Sequence, residues 1–411
     1  MLLVCMIFVM TLGAALYGYL RLVQNSNLQV ERAQRWNSVL PVAEGGIDEG
    51  LAKLNTTVGI DKTNVVGGFN NILSHNLSNG KYTSTYKVRF DDFGNFQRFL
   101  TATGIVTAPI TGETITRTVK VGVQRQALFS KGMVAMDFIN MNGHSIASDS
   151  YNSQDPSQST NGIWNGYSGS NGDIAAVNGY VNLGNQTIKG DLYLGPDATY
   201  DNSGTITGTI YTDSNLQYND VVLPTQDDNG NGITWNAAPT SFIKVNNKWV
   251  AIHNFTSSGY YIVSDASTPL IVDPGLNVTI DVRASSWSPS YIDINGGTTN
   301  SANVSLYLES GSITLSGNSS GGASAGRPEN FAVFGLPAVT SITYSGTSTF
   351  VGVIYAPEAA MTLSGGGNNN NLIGSVVVKS VTMNGHYAFH YDTSLSLQYW
   401  GAYVVGSWQE L

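Results

Sequence analysis

The residues with the most chemical potential lie near the C-terminus, in HYAFHYD. His386, His390 and Asp392 are separated by even intervals, so on a strand all three would share one face, where a metal could be held. Residues four apart on an extended chain lie about 13 Å apart, which is too far for His386 and His390 to ligate one ion together. The expected metal complement is therefore none, and the stretch reads as a satisfied strand face near a domain end. A second pattern, DDNGNG at 227–232, places Asp227, Asn229 and Asn231 ahead of Gly232 as in a calcium loop. Ala238 stands where that loop wants a bidentate glutamate, so calcium is a candidate only against the plainer reading of an Asx-rich turn. Asp191, Asp273, Asp281 and Asp293 are scattered among turns and nominate no carboxylate pair for sugar cleavage. The glycine cluster SGGASAG lacks the lysine and the helix of a phosphate loop. Trp164, Tyr167, Trp235, Trp249, Tyr260, Tyr261 and Trp287 would be stacking platforms for sugars if exposed, and core residues if not. The expectation is a protein that is not an enzyme.

Composition sets the wider frame. The chain has 411 residues, only 11% of them charged, with 46 Gly and 21 Tyr, a profile of turn-rich β-structure with neutral polar surfaces of extracellular type. A net charge of −9 and an isoelectric point near 4.9 leave no basic patch for phosphates, which excludes nucleic acid as the expected partner. Cys5 is the only cysteine, so no intrachain disulfide and no multi-cysteine metal site can form. Cleavage of lipoprotein type before Cys5 is not expected, because Val4 is too large for the preceding position.

Two kinds of element must position these residues. The first is an N-terminal helix over 1–55. No side-chain charge precedes Arg21, which leaves about 20 apolar residues, enough to cross a bilayer core. The segment lacks a basic start and a small-x-small site, so it is not expected to be removed as a signal peptide. Arg21 after the span, taken alone, would place the C-terminus in the cytoplasm. Beyond Gln24 the pattern becomes amphipathic: Glu31, Arg32 and Arg35 are exposed in type, and Leu40, Ala43, Ile47, Leu51 and Leu54 recur at helical spacing. Pro41 is expected to kink or break this helix. The second kind is the strand. KYTSTYKVRF aligns Tyr82, Tyr86, Val88 and Phe90, DDFGN supplies a turn, and ETITRTVKVGVQ aligns Ile115, Val119, Val121 and Val123, giving an antiparallel meander. From about 170 to 395 short apolar strands recur between Gly, Asn and Ser turns without a strict period, and GNNNNLIG fits a stacked turn with an asparagine ladder.

The N-terminal segment resembles PilX-type pilus assembly proteins and other type IV pilin-like proteins, in which an apolar stem runs into an amphipathic helix with a motif like A-E-A-G-I-x-x-A-L-x-x-L. This chain has Ala43-Glu44-Gly45-Gly46-Ile47, then Gly50-Leu51 and Leu54. Pilins usually carry glutamate at the fifth mature position; the fifth residue here is Cys5, and no leader is visible before Met1. Asp149-Ser150-Tyr151-Asn152-Ser153 resembles a segment of these proteins and is read as a turn-forming junction. The order V-G-x-I-Y-A-P, Gly-rich turn, G-S-V-V-V-K-S-V and H-Y-D-x-S-L resembles the C-terminal domain of unknown function that accompanies such N-termini.

The expected fold is thus mainly β with one long N-terminal helix: a pilin-like helix (1–55), an antiparallel sheet and junction (56–150), a right-handed parallel β-helix (151–395; alternatively a β-sandwich) and a tail (396–411). The resemblance implies a non-enzymatic cell-surface filament subunit or minor pilus component, inserted in the inner membrane before assembly. Leu3, Ile7, Leu12, Leu16 and Leu20 would form the assembly helix, and Ala43, Ile47, Leu51 and Leu54 would pack on the sheet. Its partners would be copies of itself or other pilin-like subunits, with surface glycans as further contacts. The competing expectations are a membrane-anchored β-helical adhesin and a polysaccharide-active enzyme.

Overall fold

A computed structural model describes residues 2–55, 73–78, 83–93, 97–108, 112–125, 127–143, 147–225, 227, 232–245, 247–294, 302–317, 321–322, 327–346, 349–364, 370–398 and 403–411. The chain divides into one unit of Met1–Gln126, Gln226–Asn231 and Ala402–Leu411, and another of Ala127–Thr225 and Gly232–Gly401. Tyr82, Gly94, Asn95, Asn229 and Asn231 lie outside the described residues, so the calcium candidate is described only at Asp227.

In the first unit, α1 (Leu2–Asn55) is continuous across Pro41. The expected break does not occur there; Pro41 is exposed, so the carbonyl its ring frees can turn to solvent. A five-stranded antiparallel sheet follows, in the order β1 (Leu73–Ser78), β2 (Thr83–Phe93), β3 (Gln97–Thr107), β4 (Thr114–Arg125) and the C-terminal strand Tyr403–Glu410. The register sets Val88 beside Ala102 and Ala102 beside Val119, so Tyr86, Val88, Leu100, Ala102, Val119, Val121 and Val123 share one buried face. Three strand readings change. Asp91–Phe93, expected in a turn, extend β2; β3 fills the gap between the two expected strands; and the expected tail is a strand paired with β4. That last pairing spans most of the chain, and no local pattern can reveal it.

The second unit is built mainly from parallel ladders. Among the described residues its antiparallel pairs are Ser159–Thr160 with Ile163–Trp164, Thr240–Val245 with Lys248–Phe255, and a bridge from Ser150 to Gly169. The expected alternative of a β-sandwich needs packed antiparallel sheets and does not fit these registers. In-register residues form columns. One runs Asn236, Tyr261, Ile280, Leu306, Val333, Ile354, Val376, Met133, Ile174, Leu192, Ile210. A second runs Trp287, Ile313, Ile342, Met361, Val381, Ile139, Val181, Tyr200. Their interior members belong to one apolar core, each burial worth roughly 1.5–3 kcal/mol, while the end residues Asn236 and Ile210 are exposed.

The column order carries a topological fact. The first strand of the unit, β5 (Met133–Asn140), lies in the middle of the stack, with Val376 on one side of Met133 and Ile174 on the other. Likewise β6 (Ala147–Tyr151) pairs with Tyr387–Asp392, the last strand before the exit. The chain therefore enters and leaves on neighbouring rungs. In the first unit the two strands that flank this segment in sequence, β4 and Tyr403–Glu410, are hydrogen-bonded neighbours. The second unit is an insertion between two adjacent strands of the first sheet. Consequently the boundary expected at 150 moves to Ala127.

β6 also corrects the reading of Asp149-Ser150-Tyr151 as a turn, since all three are buried in the strand. The side chains of Asp149 and Ser150 find partners inside: Asp149 faces His390 at 2.5 Å and Ser150 Oγ accepts from the Asn171 amide at 2.9 Å, next to Ser148, which donates to the Gly172 carbonyl at 2.7 Å. Glycines allow the rungs to close up at one corner. Gly172, Gly190 and Gly208 recur at a constant spacing, and a Cβ on Gly190 would lie 2.7 Å from Asp173 Oδ1. Asp173 Oδ1 accepts from the Asp191 amide at 2.9 Å, and Asp191 Oδ1 from the Thr209 amide at 2.7 Å. Asn368 and Asn369 of GNNNNLIG lie outside the described residues; an asparagine ladder is found at Asn277, Asn303 and Asn330, linked amide to amide at 2.9 and 2.7 Å.

Mid-column and end positions differ in burial, and so in cost. Leu306→Ala is expected to destabilise by about 3 kcal/mol through a trapped cavity, and Ile210→Ala, at a site 38% exposed, by less than about 1 kcal/mol, both read from denaturant unfolding. A pH effect is expected at Asp265: burial opposes it, yet hydrogen bonds from Thr268 and His253 bring its pKa from 3.8 down to about 2. A depressed folded-state pKa adds stability above the unfolded value, lost as pH falls through the folded one. The melting-temperature gap between wild type and Asp265→Asn should therefore close between about pH 4 and pH 2.

Candidate functional site

The feature set apart by its physics is the exposed half of α1. Its large apolar residues between positions 2 and 22 are 56–85% exposed, among them Leu3, Ile7, Leu12, Leu16 and Leu20. The segment's mean hydropathy reaches 2.0 with none of it buried, the values of a helix apolar and long enough to cross a membrane. Two of its polar residues make contacts within the helix. The Thr11 hydroxyl donates to the Phe8 carbonyl at 2.9 Å, and Arg21, the first charge, lies over the Tyr17 ring at 5.5 Å. Residues 2–34 rise about 50 Å, well beyond a hydrocarbon core of about 30 Å.

The second half of α1 is held in a socket. Arg35 is only 2% exposed, a correction to its reading as a surface residue. It donates through Nη1 to the Glu113 carbonyl and through Nη2 to the Glu113 carboxylate, both at 3.1 Å, while Arg32 reaches the other carboxylate oxygen at 3.1 Å. The bond from Arg35 and the charges of both arginines outweigh desolvation and hold the Glu113 carboxyl below its ordinary range. One turn on, Val39 and Ala43 are fully buried against β3. Contact there depends on Gly104, where a Cβ would meet the Val39 carbonyl at 2.6 Å and the Ala43 amide at 2.9 Å. Gly46 and Gly50 face Tyr86 and Val88, each with only 3.0 Å for an added Cβ. Gly46 of the A-E-G-G-I stretch, and Gly50 beyond it, thus let bulky sheet residues approach the helix. The Tyr86 hydroxyl donates to Glu49, and burial, then that bond and charge, raise its pKa to about 12. At the end of α1, Asn55 makes two bonds to the C-terminal strand, to the Tyr403 carbonyl at 3.0 Å and from the Tyr403 amide at 2.6 Å. Arg117 forks onto Glu410 at 2.5 and 2.6 Å and fixes the far end of the same strand.

Of the expected packing residues, Ala43 and Ile47 are buried and Leu51 and Leu54 half-buried against the same cluster. Sequence reasoning missed Arg35, Val39, Gly46, Gly50 and Gly104. The i, i+4, i+8, i+11, i+15 recurrence from Arg35 through Val39, Ala43, Gly46 and Gly50 is the available signal, hidden because an arginine and glycines do not count as apolar.

The other candidates are dispersed. His390 Nδ1 bonds Asp149, its ring stacks under Trp164 at 3.7 Å, and Asp392 accepts from the Ser153 and Ser394 amides. His386 lies outside the strand that carries His390 and Asp392. Among the described residues no three His, Cys, Asp or Glu are grouped to hold a metal. Asp281 is buried against Arg283 at 2.8 Å, and Asp191 serves the glycine corner. Of the aromatic residues, Trp287 and Tyr261 are core, Trp235 packs edge-on to Tyr260, and Trp249 is exposed.

The socket can be tested at its tightest point. Gly104→Ala is expected to lower the stability of the first unit by roughly 1–3 kcal/mol, whereas Gly45→Ala, whose Cβ meets nothing within 4 Å, is expected to be neutral or stabilising, both by thermal unfolding.

Comparison with known proteins adds little. Residues 254–397 match the family DUF7305, described as a domain of unknown function, over less than half of the chain. No curated protein matches. A solved structure, the competence-associated pilin ComZ from Thermus thermophilus, is similar at 11% identity over 91% of this chain and 96% of that one, with a TM-score of 0.26, too low to establish a common fold.

Proposed function

We propose that this chain is a type IV pilin-like structural protein of the cell surface, a filament subunit or a minor pilus-associated component, and not an enzyme. The observation that carries the reading is the division of one continuous helix between two environments: an uncharged half with every large side chain exposed, and a half locked into a sheet. A half left bare in this way must be covered by something apolar. Before assembly the cover is the inner membrane; afterwards it is the stems of neighbouring copies or of other pilin-like subunits, which pack helix against helix. The inserted unit, read as a right-handed parallel β-helix because parallel crossovers are right-handed almost without exception, is then displayed for adhesion or lateral contact. Its entry and exit on neighbouring rungs suit a module added to a pilin-like sheet without disturbing strand order.

The reading is tested by charge. An aspartate at the centre of a membrane helix costs about 2.5–3.5 kcal/mol. Leu12→Asp is therefore expected to remove the chain from the sheared surface fraction, measured by mass spectrometry against wild type, with the level of folded second unit unchanged. Equal recovery of the variant in that fraction would contradict the assembly role. Recovery of wild type only with membranes would point instead to an anchored adhesin.

A further inference from the structure

The hairpin formed by Thr240–Val245 and Lys248–Phe255 differs in chemistry from the rest of its unit. Lys244 pairs with Trp249 and Phe242 with Ala251, and directly opposed residues share a face, so Phe242, Lys244 and Trp249 stand together on one side. Phe242 is 63% exposed and Trp249 70%. Lys248, beside Trp249 at the tip, is exposed as well. Two aromatic rings therefore flank an ammonium group on a face left exposed among the described residues.

The base of the hairpin is rigid. Ile252 and Phe255 are buried, Phe255 packs edge-on to Tyr261 at 5.0 Å, and His253 is held between the Pro239 carbonyl at 3.0 Å and Asp265 at 2.6 Å. Strand Lys248–Phe255 continues into a parallel ladder with Leu270–Val272. The exposed face is thus a presented platform, not a loose loop.

Charge indicates what the platform faces. In this acidic chain the other described cations of the unit are occupied. Arg283 meets Asp281 and Glu309, Arg327 meets Glu329, Lys379 meets Glu358, Lys189 donates to Ser168, and Lys131 lies on the Tyr193 ring. Lys244 and Lys248 have no ion-pair partner among the described residues. An anion that also offers a flat apolar face matches both halves of the surface, and a sugar ring bearing a carboxylate has this combination: its C–H face stacks on Trp249 while the carboxylate reaches Lys244. A bilayer fits less well. The rings project from the side of the hairpin, and Asn247 and Lys248 occupy the tip that would have to enter lipid.

We propose that the Phe242–Lys244–Trp249 face, with Lys248, binds an acidic polysaccharide of the uronate type. This rests on the reading of the inserted unit as surface-displayed, but its test needs no filament. The full chain, solubilised in a detergent without a sugar headgroup, is measured by biolayer interferometry against immobilised polygalacturonate and against neutral dextran. Binding to polygalacturonate alone, weakened by salt, is expected. Trp249→Ala and the double variant Lys244→Ala/Lys248→Ala should each weaken it about tenfold at unchanged melting temperature. Trp249→Tyr should retain most of it. No binding by wild type, equal binding by the variants, capture by phosphatidylglycerol vesicles without polygalacturonate binding, or lysine-dependent self-association in place of it would each overturn the proposal.

Discussion

The first unit depends on how closely one helix and one strand approach. At Gly104 the backbone of α1 comes near enough that even a methyl group would strike the Val39 carbonyl and the Ala43 amide. Such an approach buries Val39 against Val106 of β3, and Ala43 and Ile47 in the cluster that holds the valines of β4, and fixes the helix axis on the sheet. Arg35 and Asn55 then secure the two ends of the seated half by hydrogen bonds, with Arg35 closing onto Glu113 and Asn55 onto the C-terminal strand. With that half immobilised, the other half of the same helix is presented as an apolar rod. A helix able to roll or slide would present no defined surface for assembly.

The second unit follows a different rule. Its stability comes from repetition: Ile280, Leu306, Val333, Ile354 and Val376 each rest on the next rung, and each rung completes the backbone bonding of its neighbour. The insertion of β5 into the middle of the stack, between the last strands and Ile174–Ala176, closes the unit around its own entry point. Both chain ends thus lie on well-supported interior rungs, where fraying is least.

Much of this was legible from residue types. The apolar run before Arg21, the alternation in KYTSTYKVRF and ETITRTVKVGVQ, and the short strands between glycine turns each follow from local periodicity, which sequence records directly. The missing parts are those where a residue's type and its role diverge. Arg35 looks solvated, but Glu113, far along the chain, satisfies it in a buried position. Asp149 and Ser150 look like a turn, yet His390 and the backbone around Gly172 take up polar atoms there and in Ser148. The constant spacing of Gly172, Gly190 and Gly208 was in plain view, but a period carried by three glycines is lost among 46. Strand Tyr403–Glu410 was illegible because its partner lies on the other side of an inserted unit.

What covers the exposed half of α1 decides the role of the whole chain. Helical reconstruction of filaments sheared from the native cells, by electron cryo-microscopy, measures this directly. The expected result is a core of packed α1 stems from residue 2 to about residue 30, with the socket around Arg35 and Gly104 at its outer boundary and the inserted unit outside. Filaments whose core is built from other chains, with this protein found only as single copies in the membrane, would contradict it.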